Sequence, residues 1–139
     1  MVNEWIGLFH RAETDMTLFF RQLAKLAEPD IDEIQDCFYD LSSVPVGEWE
    51  DWLSRYLSVA HPERLLKMNR VNPKYVLRNW MAQLAIDAAE KEDYSVATAL
   101  YEMLKKPYDE QPGNEEKWFS RRPEWARNRV GCSMLSCSS

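Results

Sequence analysis

Apolar residues recur at helical spacing almost everywhere between positions 15 and 106, and no sustained strand alternation competes with them. Met16, Phe19, Phe20, Leu23 and Leu26 form one stripe, with Thr14 or Asp15 placed to cap its start and Pro29 beyond its end. Ile31, Ile34, Phe38 and Leu41 form a second. The third is the most regular: Trp49, Trp52, Leu53, Tyr56, Leu57 and Ala60 fall at i, i+3, i+4, i+7, i+8 and i+11, which predicts a deeply docked helix. Pro62 suits the first position of a short helix, where its missing N–H would have no intrahelical partner anyway. Asn72-Pro73 repeats the device and predicts the longest helix, residues 73–91, with Leu77, Trp80, Met81, Leu84, Ala85 and Ala88 facing inward. Asp93 is placed to cap another, with Val96, Ala97, Leu100, Met103 and Leu104 inward and Pro107 past its end.

Beyond Pro107 the pattern changes. Pro107, Pro112, Gly113 and Pro123, with charges that follow no period, predict an extended segment. Trp118, Phe119 and Trp125 in that segment need cover, since an aromatic side chain buries on the order of 150–250 Å². The expected fold is therefore all-α: about five to six helices in an irregular bundle over residues 1–106, with 107–139 an extended Pro/Trp-containing tail that wraps the helical surface and ends in a mobile cysteine-containing stretch. No internal repeat is present, so a solenoid is not expected.

Composition narrows the chemistry. The chain has 139 residues, 45% hydrophobic and 29% charged, as one ordinary soluble domain would. A chain of this length buries roughly 68–70% of its unfolded surface and needs no disulfide to do so. It contains only four glycines, Gly7, Gly47, Gly113 and Gly131, too dispersed to write GxGxxG or GxxxxGK[ST]. His10 and His61 form no HExxH pair, and Cys37, Cys132 and Cys137 do not complete a zinc site by themselves, so metal hydrolysis is not expected. An odd cysteine count, two of them near the end, suggests a reducing compartment, and the cytoplasm is the expected location. Glu4, Glu13 and Asp15 fit neither a signal peptide nor a transit sequence, and no apolar run approaches the roughly 18 residues of a membrane span.

The net charge of −6 is unevenly spread. Residues 28–51 hold nine acids and no lysine or arginine, while the last 23 residues carry net +4, leaving −10 for the first 116. Arg64, Lys67, Arg70, Lys74 and Arg78, spaced 3, 3, 4 and 4 apart, would share one helix face if Asn72-Pro73 did not intervene. This stripe is a candidate anion- or partner-binding surface. The plainer interpretation is that it faces the acidic segment of the same molecule or is solvated, because long cationic side chains commonly cover apolar surface with their stems. The acidic balance argues against a nucleic-acid partner.

Other candidates are weaker. The pairs Glu48/Asp51 and Asp32/Asp36 are expected to stay solvated and ionised, His10 and His61 lack an identifiable catalytic partner, and the six tryptophans fit core packing better than a stacking platform. Cys132 and Cys137 form a candidate redox pair, although CxxxxC is not the thioredoxin-type CxxC.

The run Met68-Asn69-Arg70-Val71-Asn72-Pro73-Lys74-Tyr75-Val76-Leu77-Arg78-Asn79-Trp80, followed by Ala85-Ile86 and Ala88-Ala89-Glu90, resembles the C-terminal region of the selenoprotein O family, called YdiU in bacteria. Leu8-Phe9-His10-Arg11, Pro107-Tyr108-Asp109-Glu110, Arg122-Pro123-Glu124-Trp125 and Ser136-Cys137-Ser138-Ser139 are similar to the family in the same order, so the likeness covers nearly the whole chain. It implies part of a kinase-like enzyme that transfers AMP from ATP to hydroxyl side chains of proteins, with ATP and Mg or Mn as cofactors of the full-length enzyme. The family's phosphate loop, ATP-contacting lysine, its glutamate partner, catalytic aspartate and metal ligands all lie upstream of the matched region. The resemblance therefore assigns this chain no catalytic, cofactor-binding or metal-binding residue.

One family feature carries over. Cys137 matches the position where some members place selenocysteine and many bacterial members cysteine, with a redox role. The departure is at Met134, where the selenocysteine-containing members have a cysteine; here the nearest upstream thiol is Cys132. Pairing of Cys137 with Cys132, with Cys37 or with a catalytic domain stays open. The resulting expectation is a helical, structural or regulatory portion of a protein adenylyltransferase, inactive alone and partnered by a kinase-like core or by a second copy through an exposed face. The rival is a free-standing helical interaction module that uses the basic stripe. Neither expects a nucleic-acid or membrane partner.

Overall fold

The computed structural model describes residues 2–132. The chain divides into two compact units, Met1–Asn72 and Pro73–Ser139. Both are helical, and no strand occurs among the described residues.

In the first unit α1 spans Val2–Arg11, α2 Met16–Lys25, α3 Val46–Val59 and α4 Arg64–Val71. α1 precedes the stretch where the sequence reading begins its helices. Asp15 caps α2 through a bond from the Leu18 N–H, as its position before the first stripe predicts. The second stripe does not become an α-helix: residues Asp32–Cys37 and Leu41–Ser43 form two short 3₁₀ turns. The main chain after the first of these is held elsewhere, since Asp15 N–H reaches the Cys37 carbonyl at 2.8 Å and Asp40 N–H the Ala12 carbonyl at 3.0 Å. The core is aromatic. Phe9 and Phe19 meet edge-on with centroids 4.6 Å apart, Phe38 and Trp49 at 4.9 Å, and Trp52 stacks on Tyr56 at 5.4 Å. Trp49 and Leu53 are fully buried, so the most regular stripe docks where its spacing places it.

α2 and α4 run antiparallel and cap each other. Arg21, buried on α2, donates to the carbonyls of Asn69 and Asn72 at the end of α4, and Arg64 at the start of α4 donates to the Leu26 carbonyl just past α2.

In the second unit α5 spans Asn79–Ala89, α6 Ser95–Leu104, α7 Pro112–Trp118 and α8 Glu124–Arg127. The helix predicted over 73–91 starts six residues late. Asn72 is held extended before Pro73, and the N–H groups of Lys74 and Tyr75 bond to the Pro107 carbonyl at 2.8 and 3.1 Å instead of entering a helical ladder. Leu77, expected inside, is consequently half exposed, as is Ala97 on α6, whereas Trp80, Met81, Leu100 and Met103 form the core. The segment after 107 is not simply extended: α7 delivers Trp118 into this core, stacked on Trp80 at 5.8 Å, with Ala126 and Cys132 beside it. Trp125 stays largely exposed and lies beneath the Arg129 guanidinium at 5.7 Å.

Candidate functional site

The five cations of the candidate stripe are divided between the two units. Arg64, Lys67 and Arg70 lie on α4 of the first unit. Arg64 is spent on the Leu26 carbonyl, Lys67 interacts with His61 and Glu63, and Arg70 is exposed. Lys74 and Arg78, in the second unit, are buried.

Lys74 instead organises a junction. Its ammonium lies 2.8 Å from Glu110 and 2.9 Å from Glu115, and 5.1 Å from the Phe119 ring centroid. Burial opposes the charge on Lys74, but the hydrogen bonds to Glu110 and Glu115 outweigh it and hold the amine above its ordinary pKa. The neighbouring Tyr75 hydroxyl donates toward the carbonyls of Glu110 at 2.9 Å and Gln111 at 3.1 Å. Gln111, at φ 42°, sends its side-chain amide back to the carbonyls of Met103 and Lys106 at the end of α6. Two adjacent residues, 74 and 75, thus fix the whole loop between α6 and α7.

The second constellation surrounds Cys132. Arg129 grips Asp87 of α5 with two bonds of 2.7 Å, and Gln83 adds a third to the same carboxylate at 2.8 Å. The Arg129 hydrogen bond, then that of Gln83, holds the Asp87 carboxyl below its ordinary pKa. A turn closed by Cys132 N–H to the Arg129 carbonyl follows, with Gly131 at φ 87° in the position where the left-handed region favours glycine. Cys132 is fully buried, its thiol 3.9 Å from the Asn79 carbonyl. Cys37, the other described cysteine, is buried in the first unit. Cys137 lies outside the described residues.

Gly7, Gly47 and Gly113 sit within helices with open space where a side chain would point, so none serves a close backbone approach. Among the described residues no three His, Cys, Asp or Glu side chains converge as a metal site. No described helix is long and apolar enough to cross a membrane.

A family model described as Protein adenylyltransferase SelO matches residues 1–105. The chain belongs to the SelO family. It is similar over its whole length to proteins called Protein nucleotidyltransferase YdiU: 54% identical to that of Flavobacterium johnsoniae, 50% to that of Aromatoleum aromaticum and 48% to that of Methylobacillus flagellatus. It spans 29%, 28% and 29% of their respective lengths. The matched portion is their C-terminal region. The Lys74 junction of this SelO chain belongs to the sequence run that carries the likeness, but its partners Glu110 and Glu115, and the Asp87–Arg129 pair, escape a reading of spacing. Only the contrast between an acidic body and a basic tail hints at the latter.

Proposed function

We propose that this chain is a helical C-terminal portion of a protein adenylyltransferase, supporting the nucleotide-using part of the enzyme rather than transferring AMP itself. The observation that carries the reading is the whole-length identity of about half to YdiU nucleotidyltransferases of which the chain spans less than a third. ATP and Mg or Mn belong, on this reading, to the remainder of the longer enzyme. The acceptors are protein hydroxyl groups, and the compartment is the reducing cytoplasm, in keeping with the free thiol of Cys132. The partner of the chain is a kinase-like core or a second copy.

The test is to incubate the chain with ATP labelled in its α-phosphate, Mg or Mn and a protein acceptor, beside a full-length YdiU relative. Label should reach the acceptor only with the full-length protein. AMP transferred by the short chain alone would overturn the proposal.

A further inference from the structure

Cys132 is fully buried in the core cluster with Trp80, Met81 and Trp118, and the hydrogen bonds around it are unequal. Beyond the turn's closing bond, its hydrogen bonds are long: 3.9 Å from the thiol to the Asn79 carbonyl, and 3.5 Å from Arg122 to the Cys132 carbonyl. Three residues earlier the Arg129–Asp87 fork provides two charge-assisted bonds at 2.7 Å. Fork and thiol stand at the two ends of one turn, whose closing bond and glycine at φ 87° make it a unit. Both anchor points, Asp87 and Asn79, lie on α5, eight residues and about 12 Å apart. The turn is thus strapped along one helix, with its strongest tie at the Arg129 end.

We propose that the Asp87–Arg129 fork is a latch: while it is closed, the turn shields Cys132, and its opening delivers that thiol to solvent. The latch is a conformational gate on thiol chemistry and is independent of the adenylyltransferase reading. With an aromatic disulfide as co-reactant, the unmasked Cys132 loses its proton to buffer and its thiolate attacks one sulfur. A mixed disulfide forms, and the aromatic thiolate leaves with the electron pair of the broken S–S bond. When reclosing outpaces this exchange, the labelling rate measures the open fraction.

The experiment labels the full chain with an aromatic disulfide under native conditions and reads each cysteine-containing peptide by mass. In D87N, and in the milder R129K, which keeps the charge but loses the fork, labelling of Cys132 should accelerate by about threefold to tenfold. Cys37, in the other compact unit, should keep its parental rate. An unchanged Cys132 rate in both variants, or an equal acceleration at Cys37, would overturn the latch.

Discussion

The guanidinium of Arg21 and the main-chain carbonyl of Asn72 lie 3.2 Å apart, with the Asn69 carbonyl a further 3.3 Å contact of the same nitrogen. A buried cation thus closes the end of α4, where carbonyls lack intrahelical donors and the helix dipole favours positive charge. Replacing Arg21 by Met keeps much of the stem packing but removes both bonds. The expected cost is about 2–3 kcal/mol, the range for a charged hydrogen bond combined with an unsatisfied helix end. Urea unfolding read at the first unit checks this, and R21M matching the parent midpoint would refute it.

Lys74 gives a prediction with a pH sign. Its pKa in the folded chain is raised above the ordinary 10.5, because the bonds to Glu110 and Glu115 outweigh the cost of burial. A raised folded pKa contributes stability that is fully present below the unfolded value and is lost as pH rises through the folded one. The contribution should therefore persist up to pH 10.5 and disappear only above it. K74M should lose about 2–3 kcal/mol at neutral pH, less than a fully buried pair because both carboxylates are half exposed. The gap between K74M and its parent should narrow in urea titrations above pH 10.5. A gap that widens there would contradict this account.

How much of this was readable from sequence depended on how local the deciding interaction was. The α3 stripe and the Asp15 cap were readable because both are set by residues within a few positions of one another. The start of α5 was not: Pro73 is a sound first helical residue by local rules, yet the N–H groups after it go to Pro107, more than thirty positions away. That single change broke the regular spacing of the cations and sent Lys74 to carboxylates 36 and 41 residues downstream. α7 was missed for another reason: seven residues, PGNEEKW, hold no apolar period, and the helix is held chiefly by the burial of Trp118.

The contrast between two tryptophans of the 107–132 segment tests whether α7 is core. Trp118 is 3% exposed and stacked on Trp80, whereas Trp125 is 44% exposed. W118A should destabilise the second unit by about 3–5 kcal/mol, the usual range for emptying an aromatic core position. W125A should cost less than about 1 kcal/mol, from the lost guanidinium contact. Equal effects in thermal or urea unfolding would mean that α7 is dispensable packing.

Val59, Leu66 and Val71 are between 67% and 72% exposed, close to the cations Lys67 and Arg70 in the sequence of α3 and α4. Scattered apolar residues are ordinary on a surface, but the adjacent Leu65 and Leu66 are both exposed on α4 and give it an apolar contact face. The isolated chain should therefore self-associate, with a sedimentation mass that rises with concentration. Leu66→Glu should shift the chain toward monomer without unfolding it, because a glutamate there stands four residues before Arg70 and supports α4. A parent chain that stays monomeric at high concentration, or L66E that associates as strongly as the parent, would remove this face from consideration.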